Sequence, residues 1–353
     1  MLWDALIAGS GPSAATAAHA LARAGMHVLF VDRVDATRPK VGEVLPSAAC
    51  RLLRSLHLQT PEASGVHAKI VGSLSSWETH ELVASDALRN PEGPSWRLER
   101  GRFDEELRQS AVASGAVLLV GFVQQFYRQD ELWQVRLDDG THLSARWLID
   151  ATGRRSALSR AFGARRLRDS HLVAFYALAA TAASGPQLQR TVIEAAPDGW
   201  WYAAYLPSGL AVAGLHVRPG QAARLRTPDA WQRAWRLTRH VCRLFPEMQE
   251  AHCLPPMEAG GARLDRFSGE SWVACGDAAL SFDPLSSQGI FTALYSGKLA
   301  AEILIKKGSE PSFAATAYGD ELTRVWETYK ARLKTFYDIA LFKWDSRLID
   351  WPS

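Results

Sequence analysis

The chain has 353 residues, 47% hydrophobic and 22% charged, enough for about two domains of ~150 residues that bury most of their unfolded surface without disulfides or a structural metal. Its 40 Lys and Arg against 37 Asp and Glu give a formal charge of +3, too little for the broad basic field that nucleic acid demands. The four Cys, at positions 50, 242, 253 and 275, form no C-x-x-C pair and have no His at ligand spacing, which argues against a disulfide framework or a metal site and for a reducing compartment.

The N-terminus, Met1-Leu2-Trp3-Asp4, lacks the basic stretch and small-residue cleavage site of a signal peptide, so a cytoplasmic location is expected. Residues 4–8 form a short apolar strand that runs into Gly9-Ser10-Gly11-Pro12-Ser13-Ala14 and an Ala-rich helix to residue 24, closed by Gly25. A second apolar strand over 26–31 ends at Asp32. Strand, glycine turn, helix, strand and acid in this order make the βαβ fingerprint of a dinucleotide site. Gly9 permits the turn, Gly11 lets a pyrophosphate approach the backbone, Ala14 allows close helix packing, and Asp32 can accept from ribose hydroxyls.

Residues 133–137 and 142–149 read as strands joined by the hairpin signal Asp138-Asp139-Gly140, and the second leads into Asp150-Ala151-Thr152-Gly153. Further strands are expected over 173–181, 191–195, 200–206 and 210–217, followed by one helix over 231–245. Two uncharged runs, 172–189 and 199–217, are broken by Gly185-Pro186 and Pro207-Ser208-Gly209, so they predict buried strands and turns with no membrane span. This strand-rich middle points to an inserted second domain. A last apolar strand, 271–275, delivers Gly276-Asp277-Ala278-Ala279, and from about residue 288 a helix runs to Lys306. Its N-terminal amides suit negative charge on a ligand.

Four elements, the N-terminal G-x-G-x-x-A with Asp32, the R-x-x-F-D of Arg100 to Asp104, the D-A-T-G at Asp150 and the G-D-A-A at Gly276, together resemble the FAD-dependent monooxygenase superfamily, which includes aromatic hydroxylases and tryptophan halogenases. The resemblance implies an α/β fold: a Rossmann-like FAD-binding domain of the glutathione-reductase type, an inserted mainly β substrate domain and a C-terminal helical segment. The expected FAD-binding parts are residues 1–75, 97–170 and 255–310, the substrate parts 76–96 and 171–254, and the helical segment 311–353. Gly9, Gly11, Pro12, Ser13 and Ala14 would hold the pyrophosphate, Asp32 with Arg33 the adenosine end, and Arg100 the phosphate region. Gly276 and Asp277 would meet the ribityl chain or pyrophosphate, and Pro284, Gln288, Gly289 and Ile290 the isoalloxazine.

Val41-Gly42-Glu43-Val44-Leu45-Pro46 is similar to the G-E-x-x-P segment of the halogenase branch, and Gly199-Trp200-Trp201-Tyr202 with Leu206-Pro207 to its G-W-x-W-x-I-P motif. The halogenase lysine, four residues before a Trp, corresponds to Ser73 before Trp77, and the halogenase glutamate falls at Ser286. Halogenation would then lack the amine that captures hypohalous acid and the carboxylate that orients it. With Asp283-Pro284-Leu285-Ser286-Ser287-Gln288-Gly289, the chain looks most like the short LodB/GoxB-type flavoproteins of tryptophylquinone maturation.

Trp200, Trp201 and Tyr202 are the candidate substrate pocket, with at most one of the two Trp facing a given side of their strand; most of the 13 Trp are expected in cores. Glu43, in the flavin-proximal segment, is the candidate catalytic residue. His171 and His216 read as structural, Lys69 as a surface residue, and the arginines from Arg154 to Arg168 as a solvated face or a docking patch for an acidic partner. The resemblance implies an FAD-dependent monooxygenase that uses O2 and either NAD(P)H or reduced flavin from a separate flavin reductase. Its substrate would be an indole or tryptophan, in one version a tryptophan of a precursor polypeptide in a partner protein. The alternatives are a free small aromatic, a disfavoured halogenase, and a flavin-binding maturation partner without turnover.

Overall fold

A computed structural model describes residues 2–33, 39–86, 92–183, 189–306 and 311–341. The strand Leu2–Ala8 is flanked in parallel by Val28–Asp32 and His142–Asp150, with Ala8 level with both Val31 and Asp150. Val117–Val120 extends the sheet on one side and Trp272–Ala274, with Ala274 level with Asp150, on the other. The strands therefore end along one line, the edge of a parallel sheet where ligands bind. Ala5, Leu6, Ile7, Val28, Leu29 and Phe30 are fully buried, because a parallel sheet is covered on both faces and its strands read as unbroken apolar runs.

Two helices begin at that edge, Pro12–Arg23 and Gly289–Lys306. They approach so closely that a Cβ on Gly297 would overlap the carbonyl of Ser13. The antiparallel hairpin Leu132–Leu137 with His142–Asp150 forms where Asp138-Asp139-Gly140 predicted it. The R-x-x-F-D residues open the helix Arg100–Ala113.

The second large sheet is almost wholly antiparallel, in the order His252–Cys253, Val173–Ala180, Leu210–Val217, Gly199–Tyr205, Arg190–Ala196, Gly72–Ser76 and Val83–Asp86. It starts at Gly72, so the substrate layer takes in Gly72–Ser76 and the expected boundary at residue 75 cuts a strand. One face, with Trp201, Ala203, Tyr205 and Leu215, packs on Trp231 and Trp235 of the helix Pro228–Arg236. The other face turns toward the FAD-type domain.

The single helix expected over 231–245 is a correction. It stops at Arg236 and a short turn, Val241–Leu244, follows. The buried carboxylate of Glu194 accepts from the backbone N–H of Arg239, His240 and Val241, and the Thr238 hydroxyl donates to the Trp235 carbonyl. A distant carboxylate thus takes the donors that would have continued the helix.

The C-terminal helix Pro311–Asp338 buries Leu322, Trp326, Tyr329 and Leu333 in the main core. Its far end reaches the second sheet, where Tyr337 meets Trp77 and Trp200. Positions 342–353 of the expected helical segment lie outside the described residues. Among the described residues, no helix is long and apolar enough to cross a membrane.

Gly297→Val should cost about 3 kcal/mol, the upper range for overpacking, because its collision is with backbone and not with a side chain that can swing aside. Denaturant unfolding would check this; an unchanged midpoint would refute the close-approach argument.

Candidate active site

The site begins in the glycine turn. Gly9 has φ +119°, and a Cβ there would overlap the Ala151 carbonyl, so only glycine lets the first strand turn next to the D-A-T-G loop. Gly276, at φ +60°, is pressed against Ser13 in the same way and donates its N–H to the Ser296 hydroxyl at 2.8 Å. By contrast, a Cβ on Gly11 or on Gly289 would meet nothing within 4 Å. Both positions face open space at the start of a helix.

That space is a cavity of about 420 Å³ between the two large sheets. Gly11, Pro12 and Ser13 border it at one helix N-terminus, and Gln288, Gly289 and Ile290 at the other. Neither helix carries an acidic residue in its first turn, so both present unopposed positive dipole ends. Arg100 and Arg154 also line it. These features fit an elongated, anionic dinucleotide such as the FAD expected from the motifs.

The opposite wall is the second sheet. Strand alternation turns Trp200 and Tyr202 to the cavity together with Tyr176, Thr191, Ile193 and His216. Trp200 stacks on His216, ring centroids 3.7 Å apart and planes 7° apart. Its Nε1 donates to the Tyr337 hydroxyl at 3.2 Å, which in turn donates to Asp283 Oδ2 at 2.8 Å.

Two carboxyl groups border this wall from outside the sheet. Tyr202 donates to Glu43 Oε2 at 3.0 Å and receives a hydrogen bond from Arg97, whose other nitrogen donates to Thr191. Glu43 Oε1 is buried without a hydrogen-bond partner. Burial pushes the Glu43 carboxyl above the usual range, opposed first by Arg97 and then by Tyr202. Burial likewise lifts Asp283 to about 6, opposed by the Leu285 N–H, Tyr337 and Arg154. His216, hydrogen-bonded to Tyr176 at 2.9 Å, is pushed down to about 3 by burial, so it is a neutral ring at physiological pH.

Of the residues assigned from sequence to the cofactor and pocket, Gly11, Pro12, Ser13, Arg100, Asp277, Pro284, Gln288, Gly289, Ile290, Trp200, Tyr202 and Glu43 meet in this one cavity. Trp201 does not: it lies on the opposite sheet face against Trp231, centroids 5.3 Å apart. Ala14 is fully buried in the first turn of the helix Pro12–Arg23. Asp32 Oδ2 accepts from the Ser10 N–H and hydroxyl, and Arg33 lies over the Phe122 ring at 3.9 Å; both are outside the cavity, beyond the glycine turn. Arg100 grips the carbonyls of Val41 and Gly42 at 2.7 and 2.8 Å, holding the loop that carries Glu43.

The arginine run is not one surface. Arg165 pairs with Asp265 and Arg168 with Glu258, both at 2.9 Å, while Arg154 donates to the carbonyls of Gly260 and Phe282. Lys69 is exposed, and neither it nor Ser73 borders the cavity. The sequence reading passed over Asp283 as a titrating group, and Tyr176, Arg97 and Tyr337 altogether. The pairing of Trp200 with His216 across neighbouring strands is the signal that would have placed His216 here.

The tryptophan halogenase family profile matches residues 84–345 of the chain. A putative FAD-dependent oxidoreductase, LodB of Marinomonas mediterranea, is 28% identical over 351 residues, spanning 95% of this chain and 92% of its own. The menaquinone reductase of Mycobacterium tuberculosis is 30% identical over 343 residues, 90% of this chain and 80% of its own. Among solved structures, QhpG, described as a peptidyl tryptophan dihydroxylase essential for tryptophylquinone cofactor biogenesis, superposes with a TM-score of 0.81 at 23% identity, covering 100% of this chain and 80% of that one.

Asp283 yields a pH test. Its folded value of about 6 lies above its ordinary 3.8, so burial favours the protonated form; that relative stability is fully present below pH ~4 and is lost as pH rises through ~6. Wild-type stability measured against Asp283→Asn should therefore fall by up to about 3 kcal/mol between pH 4 and 7, as read by denaturant unfolding. A difference that does not change with pH would show that Asp283 titrates normally.

Proposed function

The chain belongs to the tryptophan halogenase family and is a flavin-dependent enzyme; from that premise we propose that it is an FAD-dependent monooxygenase that hydroxylates the indole of a tryptophan in a partner polypeptide. The observation that carries the reading is the cavity wall itself. Trp200, Tyr202, Tyr176 and the neutral His216 make an aromatic surface, and one buried carboxylate oxygen, Glu43 Oε1, stands unpartnered beside it. An indole offers a flat ring to such a wall and a single N–H to such an acceptor.

In the net reaction an indole C–H becomes C–OH: one atom of O2 enters the ring and the other leaves as water with two electrons and two protons from the reductant. When bound, FAD passes those electrons from NAD(P)H, or from a separate flavin reductase, to O2. The chain's own residues then do the positioning. Arg100 fixes the Glu43 loop, and Arg97 with Tyr202 holds the carboxyl at the cavity wall. When ionised, Glu43 accepts from the indole N–H and enriches the ring toward oxidation; its raised affinity for protons also suits it to take up one released at the ring. Trp200, locked between His216 and Tyr337, supplies a rigid face and excludes water.

Halogenation draws less support, because no lysine borders the cavity among the described residues, leaving no amine to carry activated halogen. A likeness in fold to a peptidyl tryptophan dihydroxylase supports a polypeptide substrate, and the similarity to LodB over nearly the whole of both chains supports FAD-dependent oxidoreduction.

The test is mass spectrometry of a co-expressed tryptophan-containing precursor with FAD, reductant and O2. Gain of oxygen on the precursor is expected. Gain only on free tryptophan, halide incorporation, or menaquinone reduction without oxygen transfer would each replace this reading. Glu43→Gln should bind FAD normally, yet lose about 10²-fold in kcat/KM, the lower range for a lost proton-handling group; unchanged kcat/KM would remove Glu43 from the chemistry.

A further inference from the structure

Residues 218–243 hold seven Arg and a single Asp, an excess of positive charge greater than the +3 of the entire chain. The rest of the molecule is therefore net acidic, although the run from Arg154 to Arg168 carries an equal excess. Arg224, Arg226, Arg233, Arg236, Arg239 and Arg243 are all exposed. Among the described residues none of these six forms an ion pair, in contrast to Arg165 and Arg168, which are neutralised by Asp265 and Glu258.

The surface is built, not loose. Trp231 and Trp235 anchor the helix Pro228–Arg236 to the sheet. The buried Glu194 carboxylate pins the turn at Arg239, His240 and Val241 with three hydrogen bonds of 2.6 to 3.0 Å, and the Cys242 N–H donates to the Thr238 hydroxyl at 2.9 Å. Arg233 and Arg236 stand at i, i+3 on one helix, and like charges at that spacing cost free energy unless a counter-charge arrives. The fixed turn sets Arg239 and Arg243 directly after the helix that carries Arg233 and Arg236.

We infer that this arginine face is a docking surface for an acidic polypeptide segment of the substrate protein. Guanidinium forks match carboxylates bidentately, and Leu237, 86% exposed in the midst of the arginines, offers one apolar contact. Two other polyanions fit less well. Single-stranded nucleic acid is held by stacking on exposed rings, and here both Trp231 and Trp235 are buried. A bilayer is entered by an apolar helix face, and the apolar side of Pro228–Arg236 is already spent against the sheet. The surface lies across the second sheet from the cavity: Glu194, which pins it, follows Ile193, which lines the cavity from the opposite sheet face.

The inference rests on a polypeptide being the substrate, and its test is separable from that reading. Poly-L-glutamate, a poly-dT oligonucleotide and phosphatidylglycerol vesicles are titrated against the full-length FAD-loaded protein and against Arg233→Glu/Arg236→Glu/Arg243→Glu. Poly-L-glutamate should bind the wild type more tightly than either other probe, weaken with added salt, and lose about tenfold or more in affinity in the variant, the effect of removing several charge contacts. FAD binding and turnover of a free small indole should be the same in both. Equal poly-L-glutamate binding by the two proteins, no binding by the wild type, or tighter binding of poly-dT or vesicles would overturn the docking surface. Failure of the hydroxylation reading would show separately, as absent oxygen incorporation with poly-L-glutamate binding intact.

Discussion

The arrangement depends on the close approach of two glycines to one residue. Ser13, in the first turn of Pro12–Arg23, touches both Gly276 and Gly297, and a Cβ at either glycine would force these segments apart. Because Gly297 meets the backbone of Ser13 and Gly276 its side chain with no Cβ of their own, the N-termini of Pro12–Arg23 and Gly289–Lys306 open on the same cavity. Two dipole ends that converge on one cavity favour an anionic ligand more than either does alone. The parallel sheet beneath them serves mainly to bring the glycine turn, the D-A-T-G loop and the G-D-A-A loop to a common level.

On the other side of the cavity, strand alternation decides which aromatic rings take part. Trp200 and Trp201 are adjacent in sequence and almost equally buried, at 1% each, yet they belong to different worlds. Trp201 closes the core over Trp231, while Trp200 forms cavity wall and is held by His216 and Tyr337. Tyr337 comes from the C-terminal helix, so that helix does more than cover the main core: it joins Asp283 of the FAD-type domain to Trp200 of the substrate sheet.

Glu43 and Asp283 show what the site sacrifices. Each is a carboxyl taken out of water without enough counter-charge to restore its ordinary acidity, a cost that a purely structural core would avoid. Asp150, equally buried, is satisfied by four hydrogen bonds from Thr152 and Ser159, and it holds a turn. Asp150 and Glu194 thus hold turns with every bond made, while Glu43 keeps an unpartnered oxygen at the cavity.

Much of the FAD-type half was legible in the sequence, because its signals are local. A glycine turn, the small residue Ala14 and an acid at a strand end each act through the few residues around them, and the conjunction of four such motifs marked both fold and cofactor. The substrate half was less legible. The strands of 173–217 and the opposite orientation of Trp200 and Trp201 follow from period-two alternation, but which Trp faces the cavity depends on where the second sheet docks. The break at Arg236 depends on Glu194, and the partners of Trp200 on His216 and Tyr337, all brought near only by folding. What the sequence determined by itself was therefore the nucleotide-binding edge and its flavoprotein family, since those rest on short-range backbone geometry. Tertiary structure alone decided which aromatic rings, carboxyls and arginines share a surface, since burial and charge pairing are properties of residues that meet across the fold.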